Sequence, residues 1–179
     1  MAQIKPMKKT TLILVFGLCF GISGLAQGSS KEAEDFYKFY SYYQGKWQVE
    51  QEVDGKKESV KLHCSGSTGG CNTVVGKGET SEWSAIWGYD PKTRQWTGVG
   101  QLSDGSRFVS AISRPPDAAF KAGMTFAFTG TIWHADGKIH YVTRKFTCVD
   151  ANTWRAVDTG VDQDGKAIPK VVATAKRIK

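Results

Sequence analysis

The sequence predicts an all-β protein, an antiparallel up-and-down β-barrel of about eight to ten strands with a short N-terminal helix. The first observation is a turn signal that recurs along the chain, at Asp54-Gly55, Asp90-Pro91, Asp104-Gly105, Asp136-Gly137, Asp150-Ala151-Asn152 and Asp164-Gly165. The second is that the segments between these turns are β-rich and of strand length, so each turn joins adjacent antiparallel strands. A long meander of this kind avoids exposed edges most simply by closing into a barrel.

Residues 1–26 have the pattern of a secretory signal peptide. Three lysines, the last of them Lys9, precede an apolar run from Leu12 to Leu25, which Ala26 follows. The run is shorter than the roughly 20 residues that a transmembrane helix needs. We therefore expect a cleaved leader, a single domain at residues 27–179, and a secreted or periplasmic location without a stable membrane anchor.

The charge of the chain is modest. The net charge is +7, and loss of the three leader lysines lowers it to +4. Basic residues are spread along the predicted strands, and only the tail from Lys170 to Lys179 is locally basic. The sequence therefore lacks the electrostatic footprint of a nucleic-acid-binding protein. It does not indicate an oligomeric state.

A short helix is predicted over Lys31–Tyr43. Ser29 and Ser30 can cap it, and acidic residues follow in its first turn. Its apolar residues form one aromatic stripe, made of Phe36, Phe39, Tyr40 and Tyr43. We interpret the stripe as a lid that closes one end of the barrel; the alternative is a helix that binds a membrane surface or a partner.

Ten strands follow the helix. The first opens at Gly45 and alternates Trp47, Val49, Gln51 and Val53 with polar residues. The others are predicted at approximately Glu58–Cys64, Asn72–Gly76, Glu79–Tyr89, Gln95–Leu102, Arg107–Arg114, Thr125–Trp133, Lys138–Val149, Thr153–Val161 and Val171–Ile178. The segment Arg114–Asp117 contains two prolines, which break the pattern and mark the one long excursion.

Three cysteines remain after cleavage of the leader. An exported chain meets an oxidising compartment, where a disulfide can persist. The flexible spacer between Cys64 and Cys71 favours a bridge between these two, which leaves Cys148 as an inward-facing thiol. Pairing of either residue with Cys148 stays open, because spacing does not decide connectivity.

The sequence offers no pattern that indicates a catalytic or metal site. No spacing of histidine, cysteine and carboxylate residues has the short intervals of metal ligands, and no cofactor is expected. The Gly-x-Ser-x-Gly pattern of a hydrolase is absent. The glycine-rich stretch from Gly66 to Gly78 lacks the Lys-Ser/Thr pair of a phosphate loop and is better read as a turn.

Two short motifs carry a resemblance to a known family. Gly45-Lys46-Trp47 opens the first strand, Arg177 stands in the last, and Gly88-Tyr89-Asp90-Pro91 forms a turn in mid-chain. The chain resembles the lipocalin-like (calycin) β-barrels and is similar to uncharacterised secreted bacterial domains of this type. The resemblance implies a barrel with an apolar ligand and no catalytic residue, in which the basic residue lies over the indole where the strands meet. One relative, of the haem-binding nitrobindin type, uses a histidine near its C-terminal strand, whereas Lys166–Lys179 has none.

Aromatic residues are the candidate walls of a ligand site. They alternate along several predicted strands, at Trp47, Trp83, Trp87, Phe126 and Phe128. Flat, rigid side chains of this kind suit an apolar ligand. The alternative is that they only fill the core, as aromatic residues do in any β-domain.

His140 and Arg144 are the candidate polar anchors. They share a predicted strand face with Val142 and Phe146, so both should point inward. A histidine and an arginine together could bind a carboxylate. The alternative is that they pair with an acidic residue of a neighbouring strand, for example Asp158. The other histidines, His63 and His134, are expected on the outer face and in a hairpin.

These observations favour a secreted, non-catalytic barrel that binds a small hydrophobic or amphipathic ligand. Two other hypotheses stay open. One is an isomerase or cyclase of a hydrophobic substrate, which requires an isolated titratable residue in the pocket. The other is a structural or interaction protein with a solid core and an exposed apolar patch. Two features would discriminate among them: a cavity of roughly 300 Å³ or more, and whether His140 and Arg144 line it.

Overall fold

A computed structural model describes residues 31–66, 71–112 and 121–179 of the chain. These residues form a closed antiparallel barrel of ten strands with one short helix on the N-terminal side. The strands are β1 (Gly45–Val53), β2 (Lys56–Gly66), β3 (Cys71–Lys77), β4 (Glu82–Asp90), β5 (Gln95–Leu102), β6 (Arg107–Ile112), β7 (Thr125–Trp133), β8 (Ile139–Asp150), β9 (Thr153–Asp162) and β10 (Val171–Arg177). The predicted fold class is confirmed. The predicted leader, the helix-capping serines and the proline-containing excursion lie outside the described residues.

The hairpins follow from local turn chemistry. Asp54 and Gly55 join β1 to β2 and both have positive φ angles, of 49° and 75°. A two-residue hairpin loop with two positive φ angles matches the right-handed twist of the strands on either side. The glycines of the turns at Gly105, Gly137 and Gly165 also have positive φ, so the recurring Asp-Gly signal does mark turns.

The barrel closes between its first and last strands. Each strand pairs with its neighbours in the chain, and β1 pairs in addition with β10. In this final pairing Trp47 is the direct partner of Arg177, and Val53 is the partner of Val171. The complete ladder leaves no open edge between these strands, which removes a common site of aggregation.

A lid covers one end of the barrel. It consists of helix α1 (Lys31–Tyr40) and the 3₁₀ turn Ser41–Tyr43 that continues it. Phe36 and Phe39 are fully buried, and Phe36 stacks on Trp96 with 4.6 Å between ring centroids. Among the described residues, no helix is both long enough and apolar enough to span a membrane. The predicted role of the aromatic stripe as a lid is confirmed.

The lid lies where the odd-numbered strands begin. Its aromatic rings contact Trp47 near the start of β1, Trp96 near the start of β5 and Phe126 near the start of β7. The hairpins after β1, β3, β5, β7 and β9 therefore lie at the opposite end, which we call the far end. The barrel interior runs between the lid and the far end.

The predicted disulfide between Cys64 and Cys71 is not formed in the structure. Cys64 alternates with the buried Val60 and Leu62, so it faces the interior. Cys71 alternates with the buried Asn72 on β3 and therefore faces the other side of the sheet. Because successive side chains point to opposite faces of a strand, the two thiols stand on opposite faces of the barrel wall. Cys148, the third described cysteine, is fully buried.

Candidate functional site

The barrel interior contains a cavity of about 270 Å³. Tyr40 and Tyr43 of the lid form its floor, and the inward-facing residues of the strands form its walls. The apolar part of the wall includes Val49, Val60, Leu62, Val74, Trp83, Trp87, Leu102, Phe108, Phe128, Ile132, Val142, Phe146 and Trp154. The barrel core is therefore not solid.

Glycines on neighbouring strands hold several aromatic rings against the wall. In three pairs a large ring stands directly across from an inward-facing glycine: Trp83 with Gly76, Trp87 with Gly98, and Phe108 with Gly100. A Cβ atom on any of these glycines would lie 2.4 Å from the ring of its partner, which is closer than side chains tolerate. Each ring therefore occupies the place of a missing side chain. This arrangement leaves room in the middle of the barrel.

The floor of the cavity is tyrosine-rich but uncharged. Burial raises the pKa of Tyr40 and of Tyr43 well above the usual value for a phenol. The Tyr43 hydroxyl lies 3.6 Å from the sulfur of Cys148. Burial also raises the pKa of the Cys64 thiol to about 12, although the nearby Arg177 opposes this. At neutral pH these groups are protonated, so they add no charge to the cavity.

Arg144 and Asp158 place one ion pair in the cavity wall. They are direct partners on β8 and β9. The Nε and Nη2 atoms of Arg144 donate to the two carboxylate oxygens of Asp158, each over 2.6 Å. Burial lowers the pKa of Arg144, but the carboxylate beside it outweighs this and raises the pKa overall. From the sequence, pairing with an acidic residue such as Asp158 was the alternative to ligand binding by Arg144, and the structure shows this pairing.

Arg144 is accessible although it points inward. Its side chain is 41% exposed, against 13% for Asp158. Both residues border the cavity, so this exposed surface faces the space inside the barrel. The arginine is therefore the member of the pair that a molecule in the cavity would meet first.

A second polar group lies closer to the far end. Gln51 borders the cavity and donates from Nε2 to Glu58 over 2.8 Å. Burial raises the pKa of Glu58, but hydrogen bonds from Gln51, Ser81 and Thr80 outweigh it and lower the pKa overall. This carboxylate is therefore ionised and satisfied by neighbours that donate to it.

Four of the seven predicted ligand-binding residues border the cavity: Trp83, Trp87, Phe128 and Arg144. Trp47 is fully buried near the lid, where its Nε1 donates to the carbonyl of Tyr43. Phe126 packs on Phe39 and does not border the cavity. These two residues belong to the packing that supports the lid.

His140 also lies outside the cavity wall. It is the cross-strand partner of Ile132 near the far end of the barrel. Its Nδ1 lies 2.9 Å from Nε2 of His134, and the two rings share this hydrogen bond. Burial lowers the pKa of His140, and His134 adds to the effect. The structure thus does not bring His140 and Arg144 together as a shared anchor.

Several cavity residues were missed by reasoning from the sequence. Phe108, Trp154 and Leu62 all border the cavity, as does Ser110. The signal that could have found them is the alternation of each strand combined with the pairing register, which assigns one face of every strand to the interior. Among the described residues, no group of three or more histidine, cysteine or acidic side chains is placed to hold a metal ion.

Comparison with known proteins identifies the fold. No known protein family matches the chain, and no curated protein matches it in sequence. The S-type phycobiliprotein lyase from Guillardia theta is 11% identical with a TM-score of 0.52, over 84% of this chain and 98% of the lyase. A redesigned β-barrel, mFAP1, bound to DFHBI, is 14% identical with a TM-score of 0.37, over 76% of this chain and 96% of that barrel. At such identities the likeness to the lyase shows a shared fold and carries no function across. The closed ten-strand barrel is consistent with the lipocalin-like barrel fold that the sequence predicted, and the comparisons do not assign the chain to a family.

Proposed function

We propose that this protein is a non-catalytic binding protein that holds a small, mainly apolar molecule inside its barrel. The observation that carries the proposal is the cavity of about 270 Å³, which is lined by aromatic and aliphatic side chains and contains one ion pair. Binding pockets for small molecules have this composition, with a few polar groups set in an apolar wall.

The size of the cavity limits the ligand. Pockets for drug-sized molecules have volumes of roughly 300 to 1,000 Å³, and this cavity is just below that range. The ligand is therefore a small ring system or a short chain. The apolar walls supply most of the binding free energy, since each buried methylene group contributes about 0.8 kcal/mol.

The chemistry of the cavity favours binding over catalysis. Its tyrosines and its thiol are protonated at neutral pH, and Arg144 is engaged by Asp158. A general acid or base works best with a pKa near the working pH and a proton that it can exchange. The remaining titratable group among the described residues of the cavity wall is Asp158, whose carboxylate accepts two hydrogen bonds from Arg144.

We also propose that the protein acts outside the cytoplasm. The lysines and the apolar run of residues 1–26 support an export signal. N-terminal sequencing of the protein from the growth medium or periplasm of its host tests this. A mature chain that begins at Gln27 is expected, and a full-length chain in the cytoplasm would contradict the proposal.

A neutral fluorescent probe tests the binding function. The fluorescence of N-phenylnaphthylamine increases when it moves from water to an apolar site. Titration of the protein with this probe should therefore give a saturable increase in fluorescence, with one probe bound per chain. Val142→Trp, which fills the cavity, should weaken this binding by about tenfold or more. Thr143→Trp is the matched control, because Thr143 is the next residue and faces the outside.

Two results would contradict the proposal. One is the absence of saturable binding to the wild-type protein, and the other is equal binding by Val142→Trp and the wild type. Far-UV circular dichroism of both variants checks that the barrel is intact. Denaturing extraction and mass spectrometry of protein from its native host would then identify the molecule that it carries.

A further inference from the structure

The geometry points to a ligand whose polar end is an uncharged hydrogen-bond acceptor, such as a ketone, ester or amide oxygen, held by Arg144. This inference rests on the proposed function, because it concerns the molecule that occupies the same cavity. It differs from the expectation of an acidic head group, which the sequence alone suggested for Arg144. The difference comes from the partner that Arg144 already has.

Arg144 has hydrogen-bond donors to spare. A guanidinium carries five N–H groups, and Asp158 engages the Nε and Nη2 atoms. Within the described part of the chain, Nη1 makes no hydrogen bond. Since 41% of the Arg144 side chain is exposed and borders the cavity, its remaining donors can reach an acceptor on a bound molecule.

The charge of the site decides which acceptor fits. Among the described residues that border the cavity, Arg144 and Asp158 are the ionised ones at neutral pH, and their charges cancel. A carboxylate ligand would leave one negative charge uncompensated between mainly apolar walls, where an unpaired charge is disfavoured. The carboxylate of Glu58, which is hydrogen-bonded to Gln51 of the wall, would also repel a negatively charged ligand.

A neutral oxygen adds no uncompensated charge to the cavity, and the nearby carboxylates do not repel it. It accepts a hydrogen bond from a charged donor, which is stronger than a bond between neutral groups. The ion pair stays intact, because Asp158 continues to hold the guanidinium in place from the other side. Asp158 therefore acts as a positioning residue that also sets the charge selectivity of Arg144.

The test compares two probes of equal chain length by displacement of N-phenylnaphthylamine at neutral pH. Methyl octyl ketone should bind the wild-type protein about tenfold or more tightly than decanoate, since only decanoate adds charge. In Asp158→Asn, Arg144 loses its counter-charge, and decanoate should gain about tenfold or more relative to the ketone. Asp162→Asn is the control, because Asp162 lies on the same strand outside the cavity wall.

The outcomes separate this inference from the proposed function. If N-phenylnaphthylamine binds but decanoate competes as well as the ketone, or if neither competes, the inference is overturned while the binding function stands. If the fluorescent probe does not bind at all, both fall. The wild-type comparison needs no variant, so a failure of Asp158→Asn to fold leaves the inference testable.

Discussion

The guanidinium of Arg177 lies over the indole of Trp47, with 4.2 Å between its central carbon and the ring centroid. The two residues are direct partners where β10 meets β1. Arg177 also donates to the carbonyl oxygens of Tyr42 and Gln44, at the junction of the lid and the first strand. One side chain thus joins the first strand, the last strand and the lid.

Substitution of Arg177 should loosen this junction. Arg177→Met removes the cation–π contact and the hydrogen bonds from Arg177 to the carbonyls of Tyr42 and Gln44. The free energy of unfolding should fall by about 2 kcal/mol, as measured by urea denaturation. Lys176→Met is the control, because Lys176 is the preceding residue and is exposed; its effect should be within about 0.5 kcal/mol. Equal effects of the two substitutions would contradict the proposed importance of the junction.

A methyl group behind Trp87 should reduce the cavity. In Gly98→Ala the new Cβ atom would lie 2.4 Å from the ring of Trp87, so the ring must move away from the wall. We expect a loss of about 1–3 kcal/mol in stability and weaker binding of N-phenylnaphthylamine. Val99→Ala, at the next and outward-facing residue, should leave probe binding unchanged. Unaltered probe binding by Gly98→Ala would show that the glycine does not shape the cavity.

Acid should weaken the contact between the lid and the barrel. Arg94 and Tyr89 both donate to the carboxylate of Glu32 on helix α1. The hydrogen bonds from Arg94 and then Tyr89 lower its pKa from 4.5 to about 2. Because the pKa in the folded state is the lower one, this contribution is complete above the unfolded value and is lost as the pH falls towards about 2.

Glu32→Gln isolates this effect. The difference in urea midpoint between the wild type and Glu32→Gln should be largest near neutral pH and should shrink as the solution is acidified below the unfolded pKa. Asp35→Asn removes a charge from the same helix without removing this contact and should not show the same pattern. A wild-type to Glu32→Gln difference that does not change with pH would refute the assignment.

The thiol of Cys64 should react slowly with alkylating reagents. Its pKa is raised to about 12 by burial, and the thiolate is the reactive form. Its alkylation rate, followed by mass spectrometry of the peptide, should keep rising with pH beyond the value at which an ordinary thiol levels off. The urea-unfolded protein is the reference and should level off near the usual thiol pKa. A native rate that levels off at the same pH would contradict the buried placement of Cys64.

Most of the fold was predictable because its signals are local. The turn dipeptides around Asp54, Asp104 and Asp136 each specify a hairpin, and a meander of ten strands has few ways to avoid open edges. The aromatic stripe at Phe36 and Phe39 indicated the lid by its helical spacing alone. These features depend on neighbours in the sequence and therefore need no knowledge of long-range register.

The features that were missed depend on register and on volume. The bridge between Cys64 and Cys71 looked plausible from the length of its spacer, but the two residues occupy opposite faces once the strands are paired. The direction of Arg144 was predictable from its alternation with Val142 and Phe146. The cavity beside Arg144 was not predictable, because its volume depends on which aromatic residues pair with glycines on the neighbouring strands.

The residues that close the barrel and the polar residues of the cavity occupy different parts of the molecule. Tightly packed rings and the Arg177 junction hold one end together, while the ion pair and the polar wall residues lie beyond the floor formed by Tyr40 and Tyr43. Substitutions in the cavity wall can therefore accumulate without weakening the closure. In such a layout the lining of the cavity can change while the packing that stabilises the closure of the barrel stays the same.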